Sequence, residues 1–152
     1  MSRSHDAPRT VPAYALDSFA LLVWLQDDPG ADIVQSLLEQ ADKGKAKLYL
    51  SWMNVAEVYS IVKRKSAEED PQLAADKVVE AIETLSIQIE PVTKTEAVAA
   101  ARIKAVHAMS LADAFAAALA MAHNAKVVTG DPEFQSVELQ KKVSILWLPR
   151  SN

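Results

Sequence analysis

Apolar positions recur along this chain in two alternating patterns, and their order predicts strands and helices taking turns. "AYAL", from Ala13, is a short apolar run closed by Asp17. "SFALLVWLQDD" then carries apolar residues almost all round until Pro29 and Gly30 break it. This reads as a strand followed by a short buried helix. In "ADIVQSLLEQADKGK", Ile33, Val34, Leu37, Leu38 and Ala41 fall at helical spacing before Gly44, and "KLYLS" follows as a second strand. "WMNVAEVYSIVKRK" starts after Ser51, a good helix cap, and ends in a basic turn that suits the helix dipole.

After the acidic break "SAEEDP", an amphipathic helix is expected over 71–85, and the alternation in "SIQIEPV" predicts a third strand. Two alanine-rich helices, "TKTEAVAAARIKAVHAM" and "SLADAFAAALAMAHNA", meet near Ser110. "KVVTG" is the fourth strand, "DPEF" the start of a further helix, and "VSILWLP" the fifth strand. Short apolar strands alternating with helices indicate a three-layer α/β/α domain around a mainly parallel five-stranded sheet. Residues 1–11 are polar and proline-punctuated and read as an arm, with one domain over 12–150.

Composition narrows the chemistry. The 152 residues contain no cysteine and three histidines, so any metal would be held by oxygen or imidazole, with oxygen the better supplied. A net charge of −4 argues against a protein that coats nucleic-acid phosphates with lysine, though a nuclease with a local basic rim remains compatible. No apolar run approaches the roughly 20 residues of a membrane helix, and the first residues lack an apolar leader core, so the expectation is a cytoplasmic protein without membrane contact.

In open parallel sheets, ligands bind beyond the carboxyl ends of the strands. Four acids fall at such joints: Asp17 after the first strand, Glu57 in the helix after the second, Asp113 in the first turn of "SLADAFAAALA", and Asp131 after the fourth. Each has a local alternative. Asp17 and Asp131 could cap the helices they precede, and Ser110 with Asp113 has the spacing of a capping box, although Glu or Gln is its usual partner. Glu57 lies among Val55, Ala56, Val58 and Tyr59, too far past Ser51 to cap, so it needs a basic partner or a cation. Gathered together, the four would repel one another and raise their own pKa values unless a cation offset them, which suits Mg²⁺ or Mn²⁺.

"YALDSFALLVWL", "SWMNVAEVYSIVKRK", "SLADAFAAALAMAHNAKVVTGDPEF" and "VSILWL" together resemble the PIN-domain superfamily, and within it the VapC-type toxins of toxin–antitoxin pairs. The likeness covers residues 13–148. It implies the α/β/α fold and a Mg²⁺- or Mn²⁺-dependent endoribonuclease, with a metal-activated water attacking RNA phosphorus. The family's acids fall on Asp17, Glu57, Asp113 and Asp131, with Asn54 leading the "N-x-x-E" motif. Ser18 and Thr129 are implied to hydrogen-bond carboxylates or bound waters, and both also suit ordinary turn and helix-start positions. The resemblance further implies an RNA substrate, a homodimer, and a VapB-type antitoxin that covers the site.

Other polar residues have plainer readings. Lys63, Arg64 and Lys65 could touch RNA phosphates, but a basic helix end explains them as well. Arg102, Lys104 and His107 are expected on a solvated face, and Trp24, Trp52 and Trp147 in the core or a dimer interface. Competing folds fit poorly: a receiver domain wants an acidic pair after its first strand and a phosphatase wants "DxDxT", where this chain has "LDSFA". A PIN-like scaffold that binds a partner or RNA without cutting is the remaining alternative.

Overall fold

The structure is a computed structural model and describes residues 10–139 and 141–150. The arm expected over 1–11 lies almost wholly outside those residues. In chain order the elements are β1 (Ala13–Leu16), α1 (Ser18–Gln26), α2 (Ala31–Asp42), β2 (Lys47–Ser51), α3 (Trp52–Lys65), α4 (Pro71–Glu83), β3 (Gln88–Glu90), α5 (Lys94–Val106), α6 (Leu111–Ala122), β4 (Lys126–Thr129), α7 (Phe134–Leu139) and β5 (Ile145–Trp147).

The strands form one sheet in the order β3-β2-β1-β4-β5, and every pairing is parallel. A parallel sheet needs helical crossovers, which cover both faces and bury the strands on both sides. The two-residue period of each strand then divides the core. Ala15, Tyr49 and Val127 face α5 and α6, while Leu16, Leu48, Leu50 and Val128 face α1 to α4. The fold is the three-layer α/β/α arrangement expected from the pattern, with the sheet wholly parallel.

Helix α6 explains its own composition. Ala114, Ala116, Ala117 and Ala120 are fully buried, because this helix lies against both the sheet and α5. Methyl side chains let the backbones approach closely, so alanine is a packing requirement here as well as a helix former.

Three elements differ in extent from the sequence expectation. The third and fifth strands are only three residues each, and α7 starts at Phe134, with a turn over Pro132 and Glu133 before it. The turn forms because the Phe134 amide donates to the Asp131 carbonyl at 3.2 Å, one residue short of helical spacing.

From β1 the chain builds outward to β2 and β3, then returns to the other side of β1 with β4 and β5. This reversal opens a crevice between the carboxyl ends of β1 and β4, where such sheets bind ligands. Because α6 walls that region with methyl groups, enlarging one should be costly: Ala117→Leu should lower stability by about 1–3 kcal/mol. Urea denaturation at neutral pH measures it, and an unchanged midpoint would show that α6 has room that the packing denies.

Candidate metal centre

Asp17 stands, fully buried, at the carboxyl end of β1 and has two tasks. Its amide extends the β1–β4 ladder to the Val128 carbonyl at 3.4 Å, and its Oδ1 accepts the Ala20 amide at 2.9 Å, capping α1. The other oxygen, Oδ2, is buried and has no hydrogen-bond partner. Burial pushes this carboxyl from its usual 3.8 up to about 7. The Thr129 hydroxyl, which closes no hydrogen bond on Oδ2, and the Ala20 amide pull the other way, while the charges of Asp131 and Glu57 push it further up.

Asp113 enters from the first turn of α6. Ser110 caps that helix, its Oγ accepting the Asp113 amide at 3.1 Å. The Asp113 carboxyl is buried and pushed up to about 9, first by burial, then by hydrogen bonding to Glu133 and by the charges of Asp17 and Asp131.

Asp131 follows β4 in the same crevice. The Thr129 hydroxyl accepts the Asp131 amide at 2.9 Å, and Asp131 Oδ1 in turn accepts the Glu133 amide at 2.9 Å. The Gly130 between them lies against the Phe19 ring so closely that a Cβ would collide with it. Glycine therefore lets the turn after β4 approach the start of α1, bringing Asp131 toward Asp17. Carboxylate oxygens of Asp113, Asp131 and Glu133 all lie within 4.8 Å of one another.

Glu57 is half-buried on α3, close enough to Asp17 to affect its proton affinity. Among the described residues, no lysine or arginine pairs with it, so the ion-pair alternative is not realised there. One turn earlier, Asn54 is fully buried. Its Nδ2 donates to Ser18 Oγ at 3.1 Å and to the Ala112 carbonyl at 3.2 Å, while the Ser18 hydroxyl donates to the Asn54 carbonyl at 3.4 Å. Ser18 adjoins Asp17 and Ala112 adjoins Asp113, so a single amide ties together the segments carrying three of the acids.

The structure thus brings Asp17, Asp113 and Asp131 together, with Glu57 beside Asp17. Ser18 is committed to Asn54, and the Thr129 hydroxyl accepts the Asp131 amide and lies beside the Asp17 carboxyl, whose charged form it favours. Glu133 was missed by the sequence reading, which treated it as part of a helix start. The expectation for His107 is corrected: it is buried, with Nδ1 2.9 Å from Ser136 Oγ, because α7 packs over the α5–α6 joint. Lys63, Arg64 and Lys65 are exposed at the end of α3. Trp24 donates to Gln35 Oε1 at 2.8 Å, and Trp147 is 37% exposed on the edge strand, outside the core.

The chemistry fits a hard cation. The donor set is all oxygen, one buried carboxylate oxygen has no partner among the described residues, and burial, with the neighbouring acids adding to it, keeps protons on acids that would otherwise have released them. Asp113, Asp131 and Glu133 have oxygens close enough together to share such an ion, and Asp17 and Glu57 lie near enough for their charges to act on the same place.

The sequence profile of the PIN domain matches residues 14–139. No curated protein matches the sequence. Among solved structures, VapBC2 from Rickettsia felis bound to a promoter DNA fragment is similar at a TM-score of 0.67 and 15% identity, over 90% of this chain and 99% of that one. FitAcB from Neisseria gonorrhoeae is similar at a TM-score of 0.64 and 22% identity, over 88% and 96%. VapC20 of Mycobacterium tuberculosis, a Sarcin-Ricin loop cleaving toxin, is similar at 0.62 and 16%, over 82% and 94%. At these identities the likeness carries the fold.

Two outcomes follow from the geometry. Asn54→Ala removes the donor to Ser18 Oγ and strands the Ala112 carbonyl, so stability in urea should fall by about 1–3 kcal/mol. If the midpoint does not move, Asn54 is no clamp. The second concerns pH. Raised folded-state values mean that the folded chain keeps protons the unfolded chain has released. The stabilisation is full below the unfolded value near 3.8, and it is lost as pH rises through about 7 for Asp17 and about 9 for Asp113. In EDTA the urea midpoint should therefore fall between about pH 5 and about pH 9, with a shallower slope in Asp113→Asn. A midpoint that rises over that range in the wild type would contradict the crowded-carboxylate account.

Proposed function

The chain belongs to the PIN-domain family, and from that premise we propose that it is a metal-dependent endoribonuclease, the toxin of a toxin–antitoxin pair. One observation carries this reading: at the switch point of a parallel sheet, Asp113, Asp131 and Glu133 cluster, with Asp17 close enough to feel their charge, and among the described residues they have no basic partner while a buried Asp17 oxygen is unbonded.

Asp17, Asp113 and Asp131 hold a Mg²⁺ or Mn²⁺ ion in this reading, with Glu57 completing the acid set. When bound, such an ion supplies Lewis-acid charge at the phosphate and lowers the pKa of water at the site. Backbone amides orient the acids before substrate arrives: Ala20 fixes Asp17 and Glu133 fixes Asp131, so little reorganisation is needed during reaction. Glu57 makes no hydrogen bond within the described residues and lies close enough to Asp17 to act on its charge, so its oxygens are free to orient the attacking water and take its proton. Asn54 and Ser18 keep α1, α3 and α6 in register around the acids.

The substrate is RNA presented as an unpaired loop or strand, since proteins reach the scissile phosphodiester and bases most readily there. Regulation follows from the same electrostatics. An antitoxin of VapB type that placed an arginine or lysine among the acids would replace the cation's charge and close the site. A homodimer and a cytoplasmic setting accompany this assignment. No single helix among the described residues is long and apolar enough to cross a membrane.

Isothermal titration of Mn²⁺ into the wild type and Glu57→Gln, with RNA cleavage assayed on the same samples, tests the assignment. We expect binding and EDTA-sensitive cleavage in the wild type, and cleavage reduced by about 100-fold or more in the variant, within the range for general acid–base groups. A folded wild type that neither binds the metal nor cuts the RNAs offered would favour a binding scaffold, with the carboxylates reduced to caps.

A further inference from the structure

Helix α6 presents an incomplete capping box. In the usual motif, the capping serine accepts the amide of the third helical residue, whose Glu or Gln side chain reaches back to the amide of the serine. Here the first half is present, with Ser110 Oγ accepting the Asp113 amide at 3.1 Å. The second half is made by a different segment. The Ser110 amide donates to Glu133 Oε1 at 3.1 Å, across 23 residues of sequence, from the turn that joins β4 to α7.

This substitution has a geometric consequence. An aspartate in the third helical position that bent back to the Ser110 amide would turn its carboxyl away from the crevice. With Glu133 supplying that bond from outside, the Asp113 carboxyl is left facing Asp131 and Asp17, beside Glu133 itself. The turn bearing Glu133 is itself fixed. Asp131 Oδ1 holds the Glu133 amide at 2.9 Å, and His107 Nδ1 meets Ser136 Oγ at 2.9 Å, pinning the start of α7 to the α5–α6 joint. Two segments that each carry one acid are thereby fastened to each other beside the cation site.

We propose that Glu133 is a positioning residue: by capping α6 from the β4–α7 turn it holds Asp113 toward the cation, and it is not itself a required ligand. Its exposed position suits this, since a hydrogen-bond acceptor works at the rim while a structural ligand is normally enclosed. The inference rests on the metal-dependent reading above, and the experiment separates the two.

Mn²⁺ affinity is measured calorimetrically for the wild type, Glu133→Gln and Glu133→Ala, at a temperature well below each protein's melting point. Glutamine keeps an oxygen for the Ser110 amide and alanine keeps none. We expect Gln to bind within about fivefold of wild type and Ala to lose about 10- to 100-fold, the usual effect of removing a group that orients a ligand. Amide exchange at Ser110 should accelerate in the Ala variant and stay near wild type in the Gln variant. Equal, large losses in both variants would identify Glu133 as a ligand and overturn the proposal, as would wild-type affinity in Glu133→Ala. A wild type that binds no Mn²⁺ would instead defeat the metal-dependent assignment, and a slowed Ser110 amide lost only in the Ala variant would still report the cap.

Discussion

Carboxylates packed within a few ångströms of one another repel, and in a partly buried crevice the repulsion is poorly screened. What holds them together here is the backbone. Asp17 accepts the Ala20 amide, Asp131 accepts the Glu133 amide, and Glu133 accepts the Ser110 amide. Amides at helix starts and turns have no partner within their own element, and they favour negative charge. The fold therefore aims several unsatisfied donors at one place. Three of the acids use one oxygen to satisfy them, which fixes the carboxylates without consuming their second oxygen.

That arrangement depends on bringing three helix starts to one edge of the sheet. Parallel strands place every strand-to-helix joint on the same side, and the reversal of strand order between β1 and β4 leaves a gap there. Packing then sets the fine spacing. The alanines of α6 allow that helix to lie close on the sheet, and Gly130 allows the turn after β4 to lie against Phe19. Asn54 fixes the remaining freedom by bonding both the hydroxyl beside Asp17 and the carbonyl beside Asp113. A buried amide NH₂ in that position is costly unless its bonds are made, so its two donated bonds favour the arrangement that makes them.

Much of this was legible in the sequence because it is local. The strand ends, the Ser51 and Ser110 caps and the position of Asp17 all follow from periodicity and helix-start chemistry over a few residues. The capping alternative and the site alternative for Asp17 turn out to be compatible, since the two carboxylate oxygens do different things. Glu133 was not legible, because its partner amide lies 23 residues away and "DPEF" reads locally as a helix start. His107 was misjudged for the same reason: three polar residues at near-helical spacing look solvated until α7, which pairs distantly, covers one of them. The strand order was also beyond local patterning, which gives element types but not which strands become neighbours.

The crowded site has a limited set of ways to balance its charge. Protons serve in the metal-free chain, as the raised values of Asp17 and Asp113 show. Under the proposed assignment a divalent cation would serve the same need with two charges and release those protons, so binding and proton loss would be linked and apparent metal affinity would rise with pH. A basic side chain from a partner protein is the third way, and it competes with the cation for the same oxygens. Under the proposed assignment, activation and inhibition are then alternative solutions to one electrostatic problem. In that assignment the acids would need no separate regulatory surface, because whatever neutralised them without supplying a Lewis acid would also silence them.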